Sequence, residues 1–263
     1  MLSALNNNNE KIIAKDANKN NEYFCPVCGE PLILKQGEIK IPHFAHKANS
    51  GCSFGINESE NHMLMKGIIR DFVVKGNKVV NDEFEHILKF SNGRYLIADY
   101  YAEIQHNGRI FKVAFEIVEK HDNYDEFEAK NVTYFDNDIY VVWVFNDKHI
   151  NRYPNEHGVG EEFRTKQIHR VAHALGFGKV YSINIPDRKM YYTHFHKVER
   201  VRDSWDDRGY YVTYPKTIRI PESKEINIFK INNFKKQYPD KYVHFNVCRA
   251  NMYIPKRWSK NIF

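Results

Sequence analysis

Two groups of side chains in this sequence have the types and spacing to do chemistry. The first lies in "CPVCGEPLILKQGEIKIPHFAHKANSGC", where Cys25, Cys28, His43, His46 and Cys52 offer five candidate ligands to a tetrahedral zinc ion that needs four. The two-residue gap lets Cys25 and Cys28 point inward from one turn. His43 and His46 compete with Cys52 for the remaining places, with His46 and Cys52 favoured and His43 a replacement ligand or a supporting donor. Four filled positions leave no room for substrate, so this zinc would be structural, stapling a unit too small to hold itself together by its core. The other reading of the cysteines is a reduced pair in a core, against which Pro26, Gly29 and Pro31 frame a turn.

The second group is acidic. In "FEIVEKH", Glu116 sits between Phe115 and Ile117 on an apolar run. If Asn107-Gly108 is a two-residue hairpin loop, His106 faces Arg109, opposed pairs sum to 215, and Asp99 falls opposite Glu116 on the same sheet face. Such neighbouring carboxylates repel unless a positive charge lies between them, and Mg²⁺ or Mn²⁺ is the usual solution because hard ions select carboxylate oxygen. A slip of one residue would send the two acids to opposite faces, and a solvated edge acid paired with lysine is the plain alternative. A third acid comes from "NESENHMLMK", where Glu58, His62 and Lys66 recur every four residues and share a helix face. Glu60, three residues after Asn57, has the capping-box spacing, which leaves Glu58 to reach the metal. A solvated stripe with an i,i+4 pair is the competing explanation.

The elements that must position these groups can be read from periodicity and turn residues. A hairpin of residues 1–5 and 11–17 flanks "NNNN", followed by the knuckle, a strand over 31–35, a turn at Gln36-Gly37 and a strand over 38–45. A helix over 57–76 stops at Gly76, and a three-strand meander follows over 83–91, 94–105 and 110–118, turning at Asn92-Gly93 and Asn107-Gly108. A helix over 124–135 precedes the buried strand "DIYVVWVF". After "DKHINRYPNEHG", read as a linker, come a helix over 161–175 and a hairpin about Pro186-Asp187. Residues 199–263 alternate basic and aromatic side chains around four prolines.

The 263 residues carry a net charge of +6, divided unevenly. From residue 151 onward Lys+Arg outnumber Asp+Glu 22 to 11, leaving 17 bases against 22 acids before it. A basic, Tyr-rich second half suits contact with phosphates and stacked bases, with a solvated basic surface as the bland alternative. No apolar run reaches the length of a membrane span, and the opening "MLSALNNNNEK" is unlike a signal peptide, so a soluble cytoplasmic protein is expected.

Taken in order, "FCPVCGEPLILKQG", "IPHFAH", "NESENHMLMK", "RYLIADYY", "FEIVEK" and "VVWVF" resemble the competence protein CoiA-like family over about residues 1–180. The resemblance implies a nuclease core of the PD-(D/E)xK superfamily acting on DNA during transformation and recombination, with recombination proteins as partners. Its acids would be Glu58, Asp99 and Glu116, fixing an ion that lowers the pKa of bound water. The departure is Val118, where that superfamily carries lysine or glutamine two residues after the strand acid. Lys120 shares the Glu116 face but lies about 13 Å along the strand at ~3.3 Å per residue, a long reach for one side chain. Lys130, four residues before Tyr134 on the following helix, is favoured as the replacement, with Lys66 as a second candidate. The expected class is thus α+β, a restriction-endonuclease-like core of helix, three-strand meander, helix and strand. The expected domains are a zinc-stapled β unit (1–56), the core (57–150) and a basic, aromatic-rich α+β region (151–263). The function expected is a divalent-metal DNA nuclease, and the alternative an inactive nuclease fold that binds nucleic acid or regulates recombination or phage defence.

Overall fold

The computed structural model describes residues 1–231 apart from residues 39, 56–57, 91–94, 120–123, 151, 155–160, 164–166, 177, 206–207 and 210. The expected Asn92-Gly93 turn, Lys120 and the tail beyond residue 231 therefore lie outside the described residues. The protein is mixed α+β, mostly strand, and divides into two compact units. Unit 1 holds Met1–Glu119, Lys130–Val141 and Ile228–Ile231; unit 2 holds the rest. The boundary expected at residue 56 does not separate compact units, because the N-terminal sheet and the meander share unit 1.

Unit 1 begins with five short strands: β1 (Ser3–Leu5), β2 (Lys11–Ile13), β3 (Tyr23–Phe24), β4 (Pro31–Lys35) and β5 (His43–His46). They form one sheet in the order β2-β1-β3-β4-β5. The β1–β2 hairpin closes through its asparagines: Asn6 Oδ1 accepts the N–H groups of Asn8 and Glu10, and Asn9 takes the left-handed conformation with φ 60°. Ala4, Ala14, Tyr23, Cys25, Leu32 and Phe44 make the small core beneath.

Helix α1 (Glu60–Gly76) buries Met63, Met65, Ile68, Ile69 and Val73 together with Lys66. Its cap is Ser59, whose hydroxyl accepts the His62 N–H at 3.0 Å, so the expected Asn57–Glu60 capping box is replaced by a cap two residues later. Ser59 leaves Glu60 as the first helical residue, where its charge favours the helix N-terminus. The meander follows as β6 (Lys78–Lys89), β7 (Tyr95–His106) and β8 (Arg109–Val118), antiparallel throughout. Asn107 and Gly108 both have positive φ, 48° and 74°, as a two-residue hairpin loop requires, and the observed pairs from His106↔Arg109 to Tyr100↔Phe115 sum to 215 as expected.

Helix α2 (Tyr124–Asp136) is followed by β9 (Tyr140–Asn146), completing the expected order of elements. The last piece of unit 1 is Ile228–Ile231. Phe229 packs edge-on against Phe115 with ring centroids 5.3 Å apart, and Asn77 bonds both the Phe229 carbonyl and the Ile231 N–H. Gly76 permits that approach, since a Cβ there would lie 2.0 Å from the Phe229 carbonyl oxygen.

In unit 2, β12 (Val180–Asn184) runs parallel to β9, and β13 (Lys189–Trp205) and β14 (Tyr211–Ile226) continue the sheet antiparallel. A parallel pair needs a crossover, and the intervening chain supplies β10 (Arg152–Pro154), β11 (Glu161–Phe163) and α3 (Gln167–Leu175). The helix expected over 161–175 is thus shorter at its start, with Glu161–Phe163 pairing to β10 instead. Of the four prolines in residues 199–263, Pro239 and Pro255 lie outside the described residues, while Pro215 and Pro221 sit in β14, opposite Val201 and Phe195. They are tolerated because β14 is the terminal strand of its sheet, where a missing N–H costs no ladder bond on the outer side.

Candidate functional site

The N-terminal unit brings Cys25, Cys28, His46 and Cys52 together, with one ligand atom from each within 4.8 Å of all the others. Cys25 and Cys28 come from the turn after β3, His46 ends β5, and Cys52 follows it. Gly29, with φ 74°, closes the turn by donating its N–H to the Cys25 carbonyl at 2.9 Å. Cys28 Sγ and His46 Nε2 are 3.4 Å apart. Three sulfurs and one imidazole in this arrangement fit a zinc-like ion in both donor chemistry and number. Burial pushes the Cys25 thiol up to about 12, so a metal must displace its proton to bind. His43, offered as a fifth ligand, is not in the group: its Nδ1 lies 2.8 Å from the Ile41 carbonyl, which fixes the ring away from the sulfurs.

The acidic residues converge in unit 1. Glu58, on the approach to α1, accepts from Lys66 Nζ and lies 2.8 Å from the Met1 ammonium. Lys66, only 3% exposed, also reaches Glu85 Oε1 at 2.8 Å and Asp99 Oδ1 at 3.7 Å. Asp99 receives His62 Nε2 at 2.8 Å on one oxygen and the Ile117 N–H at 2.8 Å on the other. On β8, Glu116 is 1% exposed and bound by Lys130 Nζ at 2.9 Å and by the Tyr134 hydroxyl. Beside them Ser59 donates to Glu119.

The backbone reason for this convergence is register. Glu116 is next to Phe115, the last residue of the β7–β8 ladder, and Asp99 is next to its partner Tyr100. Across β6, the pairs Phe84↔Tyr100 and His86↔Ala98 put Glu85 opposite Asp99. Three acids on three adjacent strands thus form one row. Glu85 escaped the sequence reading; only the β6–β7 register, together with its rare left-handed φ of 47°, reveals it.

Charge sharing follows from these contacts. Burial disfavours ionisation of Asp99, yet the facing His62 and then Lys66 hold its carboxyl well below the usual range. Burial likewise opposes charge on His62, but the Asp99 carboxylate outweighs it and raises the imidazole above its ordinary value. For Lys66 the carboxylates of Glu85, Asp99 and Glu58 overcome burial and keep the ammonium protonated. Glu58 is pulled low against burial, chiefly by Lys66 and the Met1 ammonium. Glu116 goes the other way: burial raises it despite Lys130, and the neighbouring Asp99 charge adds to the rise.

The positive charge expected between the strand acids is therefore supplied by the protein's own side chains. Among the described residues, the Cys/His group alone gathers three or more His, Cys or carboxylate ligand atoms closely enough to hold a metal. Val118 is buried near the end of β8 and takes no part in the ion pairs. Of the three lysines considered for its place, Lys120 lies outside the described residues, Lys130 reaches Glu116, and Lys66 reaches Glu58, Glu85 and Asp99.

Comparison with known proteins gives the first group its context. Residues 5–55 match the family model described as competence protein CoiA, N-terminal domain. A stretch of 46 residues is 50% identical to competence protein CoiA of Bacillus subtilis (strain 168), covering 17% of this chain and 12% of that relative. No solved structure matches the chain. The chain thus spans about an eighth of the length of the relative it matches, and its likeness to the CoiA N-terminal domain lies in residues 5–55, which contain Cys25, Cys28, His46 and Cys52.

Proposed function

We propose that unit 1 is a divalent-metal-dependent nuclease centre acting on DNA, of the kind used in DNA processing and recombination. The observation that carries this reading is the convergence of Glu58, Asp99 and Glu116 from a helix approach and two adjacent strands, with Lys66 and Lys130 beside them. A bound Mg²⁺ or Mn²⁺ would supply Lewis-acid charge and an acidified water, with these three carboxylates as its holders. Carboxylate oxygen matches such an ion in donor type. What the chain's own residues do is clearer. His62 and the Ile117 N–H fix both oxygens of Asp99, and Lys130 and Tyr134 fix both oxygens of Glu116. Lys130, a quarter exposed, is the ammonium positioned to neutralise charge developing on a phosphate, the role Val118 cannot fill. The basic second half of the sequence supports a partner with a phosphate backbone.

One observation favours a second reading, a nuclease-type fold that binds nucleic acid without cutting it. The acids already face Lys66, His62, Lys130 and the Met1 ammonium, so adding a doubly charged cation to this balanced cluster is opposed unless a resident cation moves aside. The two readings separate in one assay. Purified chain is incubated with linear, nicked, branched and single-stranded DNA in Mg²⁺ or Mn²⁺. The nuclease reading expects cutting that Asp99→Ala and Glu116→Ala abolish and that Lys130→Met lowers about a hundredfold. Undiminished cutting by both acid variants refutes this centre. Retained binding with no cutting on any substrate selects the second reading.

A further inference from the structure

Glu85 takes no part in the sequence-level account, yet it is the most heavily bonded carboxylate of the acidic cluster. Its Oε1 accepts from the Leu2 N–H at 2.9 Å and from Lys66 Nζ at 2.8 Å. Its Oε2 accepts from the Ser3 N–H at 3.0 Å and the Ser3 hydroxyl at 2.6 Å. One carboxylate therefore joins Ser3 of β1 and the Leu2 amide just before it to the ammonium that serves Glu58 and Asp99. The residue is 2% exposed and holds a left-handed φ that side chains other than glycine rarely adopt. Its carbonyl, turned out of the regular ladder, accepts Lys11 Nζ from β2 at 2.8 Å.

On the other side, β1 is tied to the Cys/His group. Leu5 pairs with Phe24, the residue before Cys25, and the Phe44 N–H donates to the Met1 carbonyl at 2.9 Å, two residues before His46. The path from sulfur cluster to acidic cluster is thus a short series of backbone and charge-assisted hydrogen bonds, all within unit 1.

We propose that Glu85 is a positioning residue that couples the Cys/His unit to Lys66, so that the acidic cluster is held in its observed arrangement only while the unit is intact. This deepens the proposed function by assigning a control to the same centre, and it rests on that reading only for its effect on cutting. A buried carboxylate with four donors also stabilises a core. What distinguishes a coupler is that perturbing one side reaches the other through it.

The test is hydrogen exchange on the full chain for the unaltered protein, Cys28→Ser, Glu85→Gln and the double variant. Glutamine keeps the size of Glu85 but loses its charge and replaces one acceptor oxygen by a donor, so it cannot accept from Ser3 in β1 and from Lys66 at once. Cys28→Ser should raise exchange of the α1 amides around Lys66 about tenfold, the size set by losing one charge-assisted hydrogen bond. In the Glu85→Gln background the same substitution should add less than about twofold to α1 while still loosening β3 and β5. Additive effects in the double variant, or an unmoved α1 in Cys28→Ser, would overturn the coupling. If Glu85→Gln unfolds unit 1, Glu85→Asp serves in its place: it retains the charge, is too short to span both partners, and must show the same loss of transmission. Where the chain cuts DNA, Glu85→Gln should lower kcat and leave KM unchanged. Absence of cutting by the unaltered chain counts against the proposed activity alone, since exchange decides the coupling without it.

Discussion

Removing the Lys66 ammonium should strongly destabilise unit 1, and the damage should be reversible by acid. Lys66→Met preserves most of the side-chain volume inside α1 but strands the carboxylates of Glu58 and Glu85, which are 11% and 3% exposed, and weakens the hold on Asp99. Breaking a buried ion pair from one side costs about 3–5 kcal/mol, because the remaining charge is left uncompensated. For a folding unit of this size that corresponds to a fall in Tm of roughly 6–20 °C. The sign of the pH dependence is specific. Lys66 holds the Glu58 carboxyl below its ordinary value, so in the variant that carboxyl titrates upward and becomes neutral at higher pH than before. A neutral carboxyl tolerates burial, so the deficit relative to the unaltered protein should shrink as pH falls from 8 toward 5. Thermal or urea unfolding at several pH values, with exchange of the α1 amides to report on unit 1, measures this. A deficit below about 1 kcal/mol, the range of a surface ion pair, would refute the reasoning. So would one that grows toward low pH.

Metal content should separate the two histidines of the knuckle: His43→Ala should keep one zinc per chain by elemental analysis, and His46→Ala or Cys28→Ser should lose it. Phe229→Ala should destabilise unit 1 by about 3–5 kcal/mol in denaturant unfolding, since it empties the space against Phe115. Glu83 provides an acid-limb test. Burial pushes its carboxyl up, but hydrogen bonding from His86 and the Lys11 charge hold it below the ordinary value, so its contribution is present above that value and lost as pH falls through the depressed one. Glu83→Gln should flatten that part of the stability profile, and an unchanged acid limb would contradict the assignment.

What the sequence made legible was local geometry. The Asn-Gly corner fixed the β7–β8 register because both residues accept positive φ, and the Asp99–Glu116 juxtaposition followed by counting. Cysteine spacing similarly exposed the knuckle, and the preference for His46 and Cys52 over His43 agrees with the grouping observed. Hidden features required information from two places at once. A two-residue loop at Asn92-Gly93 would give pairs summing to 185, yet the observed β6–β7 pairs around Glu85 sum to 184, so Glu85 could not be placed opposite Asp99 by the same counting. The spacing of Lys66 fitted a solvated stripe as well as a site, and its enclosure was not legible because the strand acids that stabilise it arrive from elsewhere in the chain. The long β13–β14 ribbon was not read from the sequence, since an edge position that excuses Pro215 and Pro221 is a property of the sheet and not of the local sequence.

The return of Ile228–Ile231 to unit 1 has a consequence for how the protein is made. The stretch Val142–Asn227 of the other unit is synthesised before Phe229, so a nascent chain that has emitted the acidic cluster still lacks the ring that covers Phe115. Closing that late, long-range contact makes completion of the first unit wait for translation of the ribbon, and it makes any fragment ending near residue 150 a protein with an open seam.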